Sequence, residues 1–196
     1  MKFSRFASRF SDNSGIVQLM DDLGNAMAGN TDVLMLGGGN PSHIPGVQQY
    51  FRDALHRLIE NPALFSHTVG NYELPHGNKD FINAIVKLIN ERYQWGISPK
   101  NVGLTIGSQS AFFYLFNMLG GDHGQGINKQ ILLPITPEYI GYSDVGLSDN
   151  LFCAQRPVIE KLENHFFKYH VDFEQLGIHE NIAAMCVSRP TNPTGN

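Results

Sequence analysis

Two cysteines in 196 residues, Cys153 and Cys186, leave no C-x-x-C pair and no material for a disulfide framework or a cysteine-rich zinc site. The expected role for both is a reduced thiol packed in a core, as in a cytoplasmic protein. Long apolar runs are missing as well. None approaches the roughly 18 residues of a membrane span, and the N-terminus lacks the apolar block of a secretory signal, so no membrane partner is expected. Charge of one sign is scarce, with 14 Lys and Arg against 18 Asp and Glu for a net −4. The basic residues are scattered rather than clustered, which removes the electrostatic footprint of a nucleic-acid binder. The sequence has no Walker lysine, no G-x-G-x-x-G and no H-E-x-x-H. His165 and His170 have no third ligand at suitable spacing, so no metal is expected and these histidines read as surface or hydrogen-bonded groups.

What remains is an ordinary globular composition, 42% hydrophobic and 16% charged, without repeats or low-complexity tracts. Lys2, Arg5 and Arg9 alternate with Phe3, Phe6 and Phe10, a short amphipathic pattern that a transit peptide would share and that reads here as an arm docking on a neighbouring subunit. Ser14 can cap a helix with Ile16, Leu19, Met20, Leu23 and Met27 on its apolar face, stopping at Gly29-Asn30. A short strand, Val33 to Leu36, then runs into the nearly side-chain-free loop Gly37-Gly38-Gly39-Asn40-Pro41. Helical spacing resumes over Val47 to Ile59, a loop surrounds Tyr72, and a second helix runs from Asn78 to about Trp95-Gly96. Beyond it, strands are expected at Val102 to Ile106, Ile131 to Leu133, Leu151 to Ala154 and Ile182 to Val187. A helix over Ala111 to Leu119 and a helical or turn segment over Tyr139 to Val145 lie between them. This alternation predicts an α/β fold on a largely parallel sheet. His165 to Phe173 reads as a strand or turn.

Three strand ends carry chemistry. After Val102 to Ile106, Gly107-Ser108-Gln109-Ser110 opens a helix, so free backbone N–H groups and the serine hydroxyls can cradle an anion such as phosphate. After Ile131 to Leu133, Pro137-Glu138-Tyr139-Ile140-Gly141-Tyr142 brings aromatics to the same sheet edge, where open α/β sheets bind ligands. Tyr139 could stack on a flat heteroaromatic ring or simply fill the rim of the core. After the last strand, Asn192 has an amide that can donate to a ring oxygen, and Pro193 can hold the turn, through a cis bond or not.

Taken as an ordered set, these segments resemble the fold type I aminotransferases that use pyridoxal 5′-phosphate. Gly37-Gly38-Gly39-Asn40-Pro41 is similar to that family's N-terminal substrate loop, and Tyr72 with Gly77 to its tyrosine-loop-glycine signature. Gly107-Ser108-Gln109 is similar to its phosphate turn, and Asn192-Pro193-Thr194-Gly195 to its Asn-Pro-x-Gly turn. Tyr139 falls where the family carries the ring-stacking aromatic, in place of the Trp of many relatives. The resemblance implies an incomplete large cofactor-binding domain over residues 46–196. Residues 1–45 would supply an N-terminal arm, part of the small domain and the substrate loop. It implies that Gly107, Ser108, Gln109, Tyr139 and Asn192 hold pyridoxal 5′-phosphate, and that Tyr72 reaches a partner's cofactor across a homodimer. Gly39 would let the carboxylate of an amino acid or 2-oxo acid approach the backbone, since a Cβ there would intrude.

Aminotransfer also needs a Schiff-base lysine, an acid on the pyridine nitrogen and an arginine for the substrate carboxylate. None of Lys2, Lys79, Lys87, Lys100, Lys129, Lys161 and Lys168 has the family's S-x-x-K setting, and Arg189 reads as an exposed loop residue. The tail Ser188 to Asn196 has the character of a segment that normally lies mid-protein. The expectation is therefore the front half of an enzyme, inactive alone, with its catalytic lysine beyond Asn196. The strands near Val102 and Ile182 should then have few ladder partners, and the cofactor site should be shallow and open. Another enzyme of this fold, such as a lyase, and a non-catalytic cofactor-binding fragment both stay open.

Overall fold

A computed structural model of the chain describes residues 2–4, 7, 15–29 and 41–195. Ser14, the expected strand Val33 to Leu36 and the loop residues Gly37, Gly38, Gly39 and Asn40 lie outside the described residues. The chain divides into two compact units, one of residues 1–30 with 106–196 and the other of residues 31–105.

In the second unit three helices follow one another: α2 (Pro45–Glu60), α3 (Pro62–Gly70) and α4 (Lys79–Tyr93). Helix α1 (Gly15–Gly29) belongs to the other unit. Prolines at the first turn start α2 and α3, where the missing N–H has no partner to lose. Asn61 works at both helices: its backbone N–H closes α2 on the Leu58 carbonyl, and its side chain accepts from Leu64 N–H at 3.1 Å to cap α3. Helix α3 was not foreseen from the sequence, because its nine residues are too few to display a period. Asn78 caps α4 by accepting from Phe81 N–H at 2.9 Å, and Gln94 ends it in the left-handed region at φ 55°. The amide of Asn90 then bonds both the N–H and the carbonyl of Ile97, at 2.9 and 2.8 Å.

Residues 102–106 do not form the expected strand. A strand requires a ladder, and the described ladders do not include this segment. The Leu104 N–H goes instead to the His76 carbonyl at 3.0 Å.

The first unit holds the sheet. Strand β2 (Asn128–Leu133) lies at its centre, with β3 (Phe152–Ala154) and β6 (Ile182–Met185) both parallel to it and β1 (Gly121–Asp122) antiparallel at its start. The register sets Ile131 opposite both Phe152 and Ala184, with an irregularity between Gln130 and Ile131 on the β6 side. Helix α5 (Ser108–Leu119) packs on β2 through Phe116. Phe116, Ile131, Tyr142, Val145, Leu151 and Cys186 form one core, with Ile131 completely inaccessible. The partly buried amide of Asn117 donates to the Phe113 and Val145 carbonyls at 2.7 Å each and accepts from Leu147 N–H at 2.8 Å, fastening α5 to the 145–147 loop. A separate antiparallel hairpin joins β4 (Val158–Lys161) to β5 (Phe167–His170), so the aromatic segment expected as strand or turn is a strand preceded by a turn at Glu163–His165. Both cysteines are free thiols; Cys186 is buried and Cys153 half-buried. No described helix is long and apolar enough to cross a membrane.

Candidate active site at the carboxyl ends of the parallel strands

Strands β2 and β6 are adjacent and parallel, so the loops that leave them emerge side by side. The first carries Pro134 to Tyr142, the second Ser188 to Gly195. The N-terminus of α5 meets them, and together they surround a cavity of about 220 Å³ lined by Ser108, Gln109, Tyr139 and Asn192. Four residues expected at the site, two from the start of α5 and one from each of the loops after β2 and β6, are thus brought to one place. Phe112, Tyr142, Ser188 and Pro190 complete the lining. Ser108, Gln109 and Asn192 are exposed and Tyr139 is half-buried, so the cavity is open on one side.

Gly107 precedes α5 at φ 82°, a backbone conformation that side chains rarely adopt, and a Cβ built there would meet nothing within 4 Å. Among the described residues no hydrogen bond engages the Ser108 hydroxyl, the Tyr139 hydroxyl or the Asn192 side chain. Ser110 is different, because its hydroxyl donates to the Ile106 carbonyl at 2.9 Å. Gln109 Nε2 donates to the Gly141 carbonyl at 3.0 Å and so ties the helix start to the aromatic loop. Gly141 is buried, and a Cβ there would lie 2.5 Å from Cε1 of the Tyr139 ring.

Tyr139 and Tyr142 differ in their surroundings. Tyr142 is a core residue, 5% exposed, edge-on to Phe116 and within 4.8 Å of the Phe112 ring by centroids. Tyr139 sits edge-on to Tyr142 at 5.5 Å and borders the cavity. The Tyr142 and Ser188 hydroxyls share a hydrogen bond of 2.6 Å, which joins the β2 and β6 loops. Burial pushes the Tyr142 phenol above its ordinary value; Cys186 and Glu138 nearby add to this and the Ser188 bond opposes it. Burial likewise raises the Cys186 thiol, helped by the negative Glu138.

Sequence reasoning passed over Glu138, whose side chain is only 2% exposed. Its Oε1 accepts from Ser188 N–H at 3.2 Å and lies 3.7 Å from Arg189 Nη1. A carboxylate beside the aromatic pair of the loop that leaves β2 was the signal available. Arg189, read as an exposed loop residue, bonds the Ser188 carbonyl and the Thr191 hydroxyl and braces its own turn. The Asn192-Pro193 bond is cis, as are Thr136-Pro137 and Arg189-Pro190.

Tyr72 lies in the other unit, fully exposed, and Gly77 there has φ 111° with its space closed off by Leu104. Gly39 lies outside the described residues. His170 pairs with Glu160 at 2.7 Å on the hairpin, and among the described residues no three His, Cys, Asp or Glu groups gather as a metal site would need.

No protein-family model matches the chain. Valine–pyruvate aminotransferase of Escherichia coli K12 is 46% identical over all 196 residues, which amount to 46% of its own length. The crystal structure of a candidate amino-acid aminotransferase from Psychrobacter arcticum superposes with a TM-score of 0.88 at 45% identity, over 100% of this chain and 49% of that one. That of valine–pyruvate aminotransferase from Salmonella typhimurium gives 0.75 at 47% identity, over 93% and 43%. The chain spans about half the length of the relatives it matches. Over that half it has the fold of the fold type I aminotransferases, and from its first residue to its last it is similar to valine–pyruvate aminotransferase.

Proposed function

We propose that this chain forms the cofactor-anchoring part of a pyridoxal 5′-phosphate-dependent aminotransferase that exchanges the amino group between L-valine and pyruvate, giving 3-methyl-2-oxobutanoate and L-alanine. The observation that carries this reading is the convergence of Ser108, Tyr139 and Asn192 on one cavity from three separate loops. The substrate pair comes from the similarity to valine–pyruvate aminotransferase.

The residues fit the cofactor. The first turn of α5 has N–H groups without intrahelical partners, and together with the unengaged Ser108 hydroxyl they suit a phosphate dianion, which the helix dipole favours by about 0.3–1 kcal/mol. The absence of a Cβ at Gly107, at φ 82°, keeps side-chain bulk away from the start of the helix where a phosphate would sit. Tyr139 offers a ring face or edge to a flat heterocycle, and its position is fixed from behind by Tyr142 and Gly141. The Asn192 amide has a donor to spare for the phenolic oxygen of the ring. When bound, the cofactor supplies an electron sink for removal of the amino-acid α-proton. The chain's own part is to fix the phosphate, hold the ring flat and exclude water from one side of it.

In the intact protein, read as a cytoplasmic homodimer, Tyr72 would reach the partner's phosphate and Gly39 would admit the substrate carboxylate. The test is a pair of measurements on the full-length protein. It should bind pyridoxal 5′-phosphate and convert valine and pyruvate to alanine and 3-methyl-2-oxobutanoate. Ser108→Ala and Asn192→Ala should each weaken cofactor affinity by about tenfold, the cost of one charge-assisted hydrogen bond. Release of ammonia without alanine would instead identify a lyase and overturn the reading.

A further inference from the structure

We propose that Glu138 is a positioning residue that sets the distance between the two walls of the ring site, and that it acts through the Ser188-Arg189 segment. This rests on the cofactor-site reading above.

Glu138 is one residue before Tyr139, so whatever holds its side chain also holds the start of the aromatic wall. Its Oε1 receives the Ser188 N–H at 3.2 Å, four residues before Asn192 on the opposite wall. Arg189 Nη1, 3.7 Å from the same oxygen, is within ion-pair reach though beyond a hydrogen bond. The arginine also bonds the Thr191 hydroxyl, and Thr191 is buried and donates to the Ser188 carbonyl at 2.6 Å. The Gly195 N–H then closes on the Thr191 carbonyl. A continuous chain of contacts therefore runs from the carboxylate to the turn that presents Asn192. The other Glu138 oxygen, Oε2, is buried and has no hydrogen-bond partner among the described residues. An ionisable group kept in so unfavourable a place for one backbone N–H and a distant guanidinium is poorly explained by stability, since a buried apolar side chain of similar size serves packing as well or better. Holding two loops in register accounts for it. The phosphate cradle at α5 takes no part in these contacts, so phosphate and ring recognition should respond separately to change at position 138.

The experiment uses the full-length protein and two probes, pyridoxal 5′-phosphate and inorganic phosphate, with dissociation constants from equilibrium dialysis and the induced circular dichroism of the bound cofactor. Glu138→Leu keeps the volume but accepts nothing from Ser188. It should weaken pyridoxal 5′-phosphate by about tenfold, leave phosphate unchanged and reduce the induced dichroism. Glu138→Gln, whose amide oxygen still accepts the N–H, should bring affinity back to within about threefold of the parent. Arg189→Met alters a side chain that is 35% exposed and so should fold normally; it should weaken the cofactor by about threefold with phosphate unchanged. Should Glu138→Leu not fold, the Arg189 variant decides. Parent-like cofactor binding by Glu138→Leu and Arg189→Met, or equal losses for both probes, overturns the positioning role. A parent protein that binds neither probe overturns the cofactor-site reading itself, a result distinguishable from either.

Discussion

The two units use the same kind of amphipathic sequence to different ends. In the unit of residues 106–196, Phe116, Ile131, Leu132, Ile135, Tyr142, Val145 and Leu151 are all withdrawn from water. Among the described residues of the 31–105 unit, only Ile82 is buried; Tyr50, Phe51, Leu55 and Ile59 on α2 are 60–65% exposed. Periodicity therefore fixes which face of a helix is apolar but not whether that face finds cover. The sheet unit draws its stability from burial across long sequence separations, the helical unit from caps and bonds between near neighbours, which makes its amides the faster to exchange.

The largest effect should come from Ile131→Ala, which empties the middle of the sheet and should cost about 2–5 kcal/mol in urea unfolding. Leu55→Ala, at an exposed position, should stay within about 0.5 kcal/mol; equal losses at the two sites would break the contrast. Next is Asn117→Ala, which removes the side-chain bonds to the Leu147 N–H and to the Phe113 and Val145 carbonyls and should destabilise the sheet unit by about 1–3 kcal/mol. Asn78→Ala removes the cap of α4 and should cost about 1 kcal/mol, read as faster hydrogen exchange confined to residues 79–93.

The smallest expected effect is of pH. Burial raises Tyr142, Cys153 and Cys186 above their ordinary values of 10.0, 9.0 and 9.0, and all three lie in the sheet unit. The unfolded chain then loses these protons before the folded one does. Their stabilisation is complete below about pH 9 and is lost as pH rises through the folded-state values. Melting of the sheet unit should fall above that pH while exchange in the helical unit keeps its ordinary pH dependence. Cys186→Ser should reduce the fall.

Most of the sheet unit was legible, and for a physical reason. Ile131 to Leu133, Leu151 to Ala154 and Ile182 to Val187 are short apolar runs between turn residues, the pattern that parallel strands commonly carry. Tyr139 and Asn192 could be named because each lies in the loop after such a run, and Ser108 and Gln109 because they open a helix after Gly107. Less legible were segments defined by partners rather than by composition. Residues 102–106 have the sequence of a strand but no place in the described ladders, and Val158 to Lys161 becomes a strand only because Phe167 to His170 folds back on it. The part played by Glu138 was invisible for the same reason. Its importance lies in a bond to Ser188, and nothing at fifty residues' separation marks that bond in the chain.

One absent side chain has a practical consequence. Because any substituent at Gly141 would strike the edge of the Tyr139 ring, position 141 acts as a stop against which that ring rests. An engineer seeking room for a bulkier heterocycle should therefore trim position 139 and leave 141 alone. In random mutagenesis, 141 should score as intolerant even though it would never touch a ligand.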